Sequence, residues 1–261
     1  MPAERLAGPL GLISAMPEEL ASVLAQIGGQ CQRHAGRDFW VGDLHGQPVV
    51  AVLSRIGKVA AATTATTLIQ QFGVRALVFT GVAGGLGAQV QVGDVVLAKA
   101  LVQHDMDASP LFPRHEVPLY GRSHFDADAA LSEALAKAAG QALATLAGHW
   151  PQGWEGVDLA RARVHQGLIA SGDRFVSGQH ERARLLQALP EALAVEMEGA
   201  AIAQVCHDHG CPFACLRLVS DRADDSAQHD FLRLVRDLAS PFAGLVLQHW
   251  LAGRAPAADL I

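Results

Sequence analysis

Short, continuously apolar runs alternate along the chain with longer stretches of helical period, and few folds accommodate that order. Residues 9–15, 77–79, 94–101, 164–170, 192–195 and 212–219 read as strands. Helices are predicted over 17–27, 58–72, 127–147, 179–188, the Ala-rich run after Glu198, and 231–251. Strands that are apolar on both faces, each followed by a helix, predict an α/β fold. Its central, mostly parallel twisted sheet should carry helices on both faces. Residues 39–44 and 48–53 flank His45-Gly46 and add a β-hairpin. With no repeat and no linker, one domain is expected over 1–261. Two irregular stretches, 105–125 and 148–158, are punctuated by Pro and Gly. Loops of that size serve as lids, contact loops or disordered segments.

Composition narrows the class of activity. Hydrophobic residues make up 50% of the chain and aromatics 5%, so the core is expected to be mostly Ala, Val and Leu. Net charge is −6 and the basic residues are scattered, which argues against a nucleic-acid-binding surface. No apolar run is long enough to cross a bilayer, and Met1-Pro2-Ala3-Glu4-Arg5 lacks the layout of a signal peptide. A cytoplasmic protein is expected. Cys206 and Cys211, with His207 and His209 nearby, do not have the spacing of a paired Cys-x-x-Cys metal framework. They read, with Cys215, as reduced core thiols beside a polar helix end stopped at Gly210, and no metal is expected.

In open parallel sheets, ligands bind at the carboxyl ends of the strands. Every polar cluster of this chain falls at such an end: Glu18/Glu19, Gly81–Gly85, Ser171-Gly172-Asp173, Glu196/Glu198 and Ser220-Asp221. The segment Val195-Glu196-Met197-Glu198 is the most informative. On extended backbone its two carboxylates would point one way and Met197 the other. Ionised carboxylates are acceptors only, suited to gripping hydroxyl groups, although acids at a helix start are also favoured by the helix dipole. Gly81-Val82-Ala83-Gly84-Gly85 lacks the spacing of a dinucleotide fingerprint or a P-loop. It either admits a ligand close to the backbone or makes a tight turn. Asp221 is open to two readings, a carboxylate tuned by burial or by Arg217 four residues earlier, or a capping residue. Glu19 is equally compatible with an ordinary first-turn acid.

Taken together, these segments resemble the 5′-methylthioadenosine/S-adenosylhomocysteine nucleosidases of the purine and uridine phosphorylase superfamily. The matching segments are Gly11-Leu12-Ile13-Ser14-Ala15-Met16-Pro17-Glu18-Glu19, Ser54-Arg55-Ile56-Gly57-Lys58-Val59-Ala60-Ala61 and Thr80-Gly81-Val82-Ala83-Gly84-Gly85-Leu86. They continue with Val92-Gly93-Asp94-Val95-Val96, Gly167-Leu168-Ile169-Ala170-Ser171-Gly172-Asp173-Arg174-Phe175, Val195-Glu196-Met197-Glu198 and Ser220-Asp221, in the family's order.

The resemblance implies hydrolysis of the N-glycosidic bond of a 5′-substituted adenosine, with release of adenine. As implied roles, Asp221 protonates adenine N7, Ser220 orients Asp221, Glu19 activates water and Arg217 helps place that water. Glu198 accepts the ribose hydroxyls, Met197 packs on the sugar and Glu196 completes the sugar end. Phe175 stacks on adenine, the backbone at Val176 reads its edge, and Ile56 touches the 5′-thio group. Ala83 and Gly84 bring backbone against the ligand. The resemblance implies no cofactor and a homodimer, in which the region around Leu111, Phe112, Pro113 and Pro118 faces the neighbour's 5′ pocket.

Phosphorolysis, the alternative reaction in this superfamily, needs cations around a dianion. The position that carries Arg in the phosphorylases corresponds to Phe79, and Val82 stands where Ser or Thr is common. Arg55 replaces a usual Gly and introduces a cation. Glu19 with Phe79 favours water as the nucleophile. A non-catalytic storage or binding relative is disfavoured because positions 19, 198 and 221 are all acidic.

Overall fold

The computed structural model describes residues 8–149, 157–223 and 234–252. The order of elements is β1 (Leu10–Ser14), α1 (Pro17–Leu24), β2 (Gly28–His34), β3 (Arg37–Leu44), β4 (Gln47–Leu53), α2 (Lys58–Phe72), β5 (Ala76–Gly85), β6 (Val95–Gln103) and β7 (His124–Asp126). There follow α3 (Ala129–Ala147), β8 (Val164–Ser171), α4 (Gln179–Ala188), β9 (Ala192–Glu196), α5 (Gly199–His209) and β10 (Phe213–Asp221). A π-helical turn (Val235–Ala239) leads into α6 (Ser240–Leu251), the described part of the predicted closing helix; positions 231–233 of that expectation lie outside the described residues.

The sheet is α/β in class, as expected, but mixed in direction. β4, β1, β5 and β10 run parallel to one another, and β6, β8 and β9 form a second parallel group. The two groups run in opposite directions: β10 pairs antiparallel with β6, and β5 with β9. The β5–β9 contact is short, Gly84↔Val195 and Gly85↔Ala194, and joins the carboxyl ends of both strands. Asp221 pairs with Gly84 on the other side, and Ala170 with Val195. The ends of both parallel groups therefore converge on one place, which is where the polar clusters of the sequence fall.

Helices cover both faces. Leu20 and Val23 of α1, Leu135 and Ala139 of α3, and Phe242 and Val246 of α6 belong to one core, with α6 packed against both of the other helices. On the opposite face Ala61, Ala65 and Leu68 of α2 meet Ala200, Ile202 and Cys206 of α5. Small residues on α2 and α5 let the two helices lie close to each other and to the sheet.

Two strands were not legible as such. β2 reads Gly-Gly-Gln-Cys-Gln-Arg-His and is exposed along most of its length, an edge strand with no apolar alternation to announce it. β7 spans only three residues. The Gly-rich segment is not a turn: β5 continues through Gly85 with every residue buried. Cys206, Cys211 and Cys215 are buried thiols, as expected, and Cys31 is exposed.

Candidate active site

At the convergence of strand ends lies an open cleft of about 690 Å³, including its mouth, a size typical of small-molecule sites. Its lining includes Met16, Glu19, Ile56, Val82, Ala83, Gly84, Phe175, Val176, Glu196, Met197, Glu198, Ser220 and Asp221. Of the residues to which the resemblance gives a role in holding or cleaving the nucleoside, Arg217 is the one outside this lining.

Glu19 sits in the first turn of α1 and does more than cap it. Oε2 accepts the N–H groups of Ala15 and Met16 (both 2.9 Å), while Oε1 accepts the N–H of Val82 (3.0 Å) on β5. This reach across to the sheet needs Gly81, because a Cβ there would lie 2.5 Å from Glu19 Oε1 and 2.4 Å from Arg217 Nη1. Burial raises the pKa of Glu19, against the opposing pull of Arg217 and the three N–H donors. The result is a buried carboxyl of increased basicity, fixed by the backbone.

Ser220 and Asp221 end β10, where the pairing with β5 shifts register between Val219 and Asp221. The Ser220 hydroxyl donates to Asp221 Oδ2 (2.7 Å), and the Ala223 N–H donates to Oδ1 (2.7 Å). The acid is thus oriented by its own neighbours.

β9 stops at Glu196, so the strand alternation expected for the Glu-Met-Glu segment does not extend to Glu198. Glu198 is the N-cap of α5 with φ −136° and ψ −39°, and Glu196, Met197 and Glu198 all face the cleft. Glu198 Oε1 accepts the N–H of Gly57 (2.7 Å). Burial, reinforced by the negative charge of Glu196, pushes its pKa up to about 8, with Arg217 and the Gly57 N–H pulling the other way.

Glu196 is occupied in a different way. It receives Arg217 Nη2 (2.6 Å), the Ser171 hydroxyl, and the N–H groups of Glu198 (3.1 Å) and Gly199 (2.9 Å). Arg217 also lies over the Phe79 ring, 3.6 Å from its centroid, and is 1% exposed. Arg217 therefore stands behind the wall, where it influences Glu19, Glu196 and Glu198 electrostatically. Its ion-pair partner among the described residues is Glu196, on a different strand, whereas Asp221 lies four residues further along β10, about 13 Å by strand rise.

The cations that bear on phosphate are committed elsewhere. Phe79 is fully buried beneath Arg217. Arg55, at φ 70°, turns its guanidinium to the Gly36 carbonyl (2.7 Å) and lies outside the cleft lining. Arg174 lines the cleft and forms an ion pair with Glu181.

Sequence reasoning did not place Gly57 as a donor to Glu198, Ser171 as a donor to Glu196, or Met16 and Val82 in the lining. Gly57 and Met16 sit inside recognisable motifs, but their contacts are long-range and carry no local signal.

Comparison with known proteins follows the same lines. A profile of the Phosphorylase superfamily matches residues 9–252. A 5′-methylthioadenosine/S-adenosylhomocysteine nucleosidase of Marinomonas sp. is 36% identical over 246 residues, covering 94% of this chain and 98% of the relative. The crystal structure of the nucleosidase of that name from Neisseria meningitidis, in complex with methylthio-immucillin-A, superposes with a TM-score of 0.80 at 34% identity, covering 93% of this chain and 98% of that one. Futalosine hydrolase of Helicobacter pylori gives a TM-score of 0.81 at 29% identity, covering 94% and 97%.

Proposed function

Because the chain belongs to the phosphorylase superfamily, among its 5′-methylthioadenosine/S-adenosylhomocysteine nucleosidases, we propose that it hydrolyses the N-glycosidic bond of a 5′-substituted adenosine and releases adenine. Relatives 34% and 36% identical carry the name 5′-methylthioadenosine/S-adenosylhomocysteine nucleosidase, and the Neisseria structure is a complex with methylthio-immucillin-A.

The observation that carries the choice of water over phosphate is the wall around Glu19. A carboxyl made more basic by burial faces the cleft, while Phe79 is apolar and Arg55 and Arg174 are engaged by Gly36 and Glu181. Such a site can take a proton from water, and among the described residues it offers no ring of unengaged cations to a phosphate dianion.

In the proposed reaction the C1′–N9 bond breaks as the ribose becomes oxocarbenium-like. Asp221, held by Ser220, delivers a proton to N7 so that adenine leaves neutral. Glu19 removes a proton from the water that attacks C1′ from the opposite face. Two opposed carboxyl groups, one acid and one base, follow the logic of inverting glycosidases. Glu198 accepts hydrogen bonds from the ribose hydroxyls with Met197 against the sugar, and Phe175 stacks on the base beside the Val176 backbone. Ile56 lies at the 5′ side. Glu196 and Arg217 act from behind, fixing the segment that carries Glu198 and biasing the charge around Glu19. The reading treats 1–261 as a single functional unit.

A homodimer and cytoplasmic residence belong to the same proposal. Ile56, Val59, Leu111 and Leu119 are exposed on α2's entry and on the 105–125 loop, apolar surface suited to a second copy. Cys31, Cys206, Cys211 and Cys215 are present as thiols, and among the described residues no helix is long and apolar enough to cross a membrane.

The test is adenine release from 5′-methylthioadenosine by purified protein, in phosphate-free buffer and again with added phosphate. Release without phosphate, giving free methylthioribose, is expected. Release only with phosphate, giving a sugar 1-phosphate, would replace hydrolysis by phosphorolysis.

A further inference from the structure

Three segments that frame the cleft are tied together by side chains that do not line it. Lys58, the first residue of α2, donates its backbone N–H to Asp173 Oδ1 (2.8 Å). Its ammonium reaches Asp105 Oδ1 (2.6 Å) and Gln103 Oε1 (3.0 Å). Asp105 closes the circuit by accepting the N–H of Asp173 on Oδ2 (2.9 Å). Gln103 donates in turn to Gln204 of α5 (2.8 Å), the helix capped by Glu198. Burial alone would raise the pKa of Asp105, but the Lys58 ammonium and the Asp173 N–H outweigh it and hold the carboxyl below its usual range.

What these contacts hold is the cleft itself. Gly57, immediately before Lys58, is the residue whose N–H donates to Glu198. Its φ of 101° belongs to glycine, and a Cβ there would lie 3.2 Å from Asp173 Oδ1. On the other side, Phe175 and Val176 follow Asp173 by two and three residues and line the cleft. The donor to the ribose-side carboxyl and the ring on the base side are therefore both located by one Lys–Asp–Asp circuit.

We propose that Lys58, Asp105 and Asp173 are positioning residues that set the spacing between the ribose and base subsites, and so determine affinity for the nucleoside without touching it. This rests on the nucleoside reading of the cleft. An isolated surface ion pair contributes little. Here the two carboxylates also hold backbone N–H groups adjacent to binding residues, so their loss displaces the subsites and not merely a surface contact. Acid and base groups stay in place, because Glu19 and Asp221 take their hydrogen bonds from Ala15, Met16, Val82, Ser220 and Ala223.

The experiment is steady-state kinetics of adenine release from 5′-methylthioadenosine by Asp105→Asn, Lys58→Met and the double variant. Each single change should raise KM about 5- to 20-fold with kcat held within about threefold, and the double should be no worse than either single. A second readout is the pH profile of KM. Glu198 faces Glu196, Arg217, Glu19 and the Gly57 N–H. Loosening Gly57 removes a donor that favours the carboxylate, so the limb near pH 8 should move to higher pH. Unchanged KM, additive effects in the double variant, or equal losses of kcat and folded content by circular dichroism would overturn the proposal. Should Asp105→Asn not fold, Lys58→Met reads the same link by removing only the ammonium. A wild type that releases no adenine would sink both the functional reading and this one, whereas active variants with unchanged KM would sink only this one.

Discussion

The back wall of the cleft and its rim are built on different terms. Behind the wall, the side chains of Arg217 and Glu196 are 1% and 3% exposed and form an ion pair, with Phe79 beneath the guanidinium and Ser171 on the carboxylate. At the rim, Ile56 and Phe175 are 57% and 46% exposed. Charges withdrawn from water must remain paired for the fold to persist, whereas rim side chains retain apolar surface for a ligand to cover. Mutations in the two regions should therefore separate into losses of stability and losses of recognition, with the acid–base groups between them.

The largest expected effect tests the wall. Arg217→Met keeps the bulk over Phe79 but leaves Glu196 as a buried charge without its cation, and should cost about 3–5 kcal/mol of stability in urea unfolding. A loss below about 1 kcal/mol would mean that the wall is not held by this pair, and the contrast with the rim would fail.

Next comes the group between wall and rim. Asp221→Asn preserves shape and the contacts of Ser220 and Ala223 in outline, but removes the transferable proton. The expected outcome is a fall in kcat of about 10²-fold or more with KM little changed. Near-normal turnover would remove Asp221 from the mechanism.

An effect spread over several pH units, and so small at any one pH step, sharpens the comparison between Glu196 and its neighbour Glu198. Glu198 keeps its proton up to about pH 8 in the folded protein, against an ordinary value of 4.5. A raised folded pKa contributes stability that is complete below about pH 4.5 and is lost as pH rises through about 8. The slope from this one group is at most about 1.4 kcal/mol per pH unit. Glu198→Gln, neutral at every pH, should flatten the decline when urea midpoints are compared between about pH 5 and pH 8. An unaltered slope would assign the titration to another group. The same variant should weaken discrimination between ribose and 2′-deoxyribose substrates.

Much of the site was legible because its residues sit at element ends. Glu19 after β1, Ser220-Asp221 closing β10 and the Glu-Met-Glu segment between β9 and α5 all face one cleft, as a parallel α/β order implies. The directions of the strands were less legible. Apolar runs say that a strand is buried, but β6, β8 and β9 run opposite to β1, β5 and β10 because of pairings between residues far apart in the chain. Of the two readings open for the Gly-rich segment, the turn fails for a related reason, while Ala83 and Gly84 do line the cleft. The glycines of β5 are small because Glu19, Arg217 and Asp221 press against the strand from other elements.

Residue types, their order and the strand–helix alternation were thus properties of the sequence by itself. They defined the fold class, the family and the set of side chains that gather at the strand ends. Which of those side chains became partners was decided only by the tertiary structure. Arg217 and Asp221 lie on one strand only four residues apart, yet Arg217 lies against Phe79 and pairs with Glu196 of another strand. Glu198 takes its donor from Gly57, 141 residues away. Local chemistry limits what a carboxylate can do, but register and strand direction determine whether it meets a cation, a backbone N–H or the open cleft, and those depend on contacts that no short stretch of sequence contains.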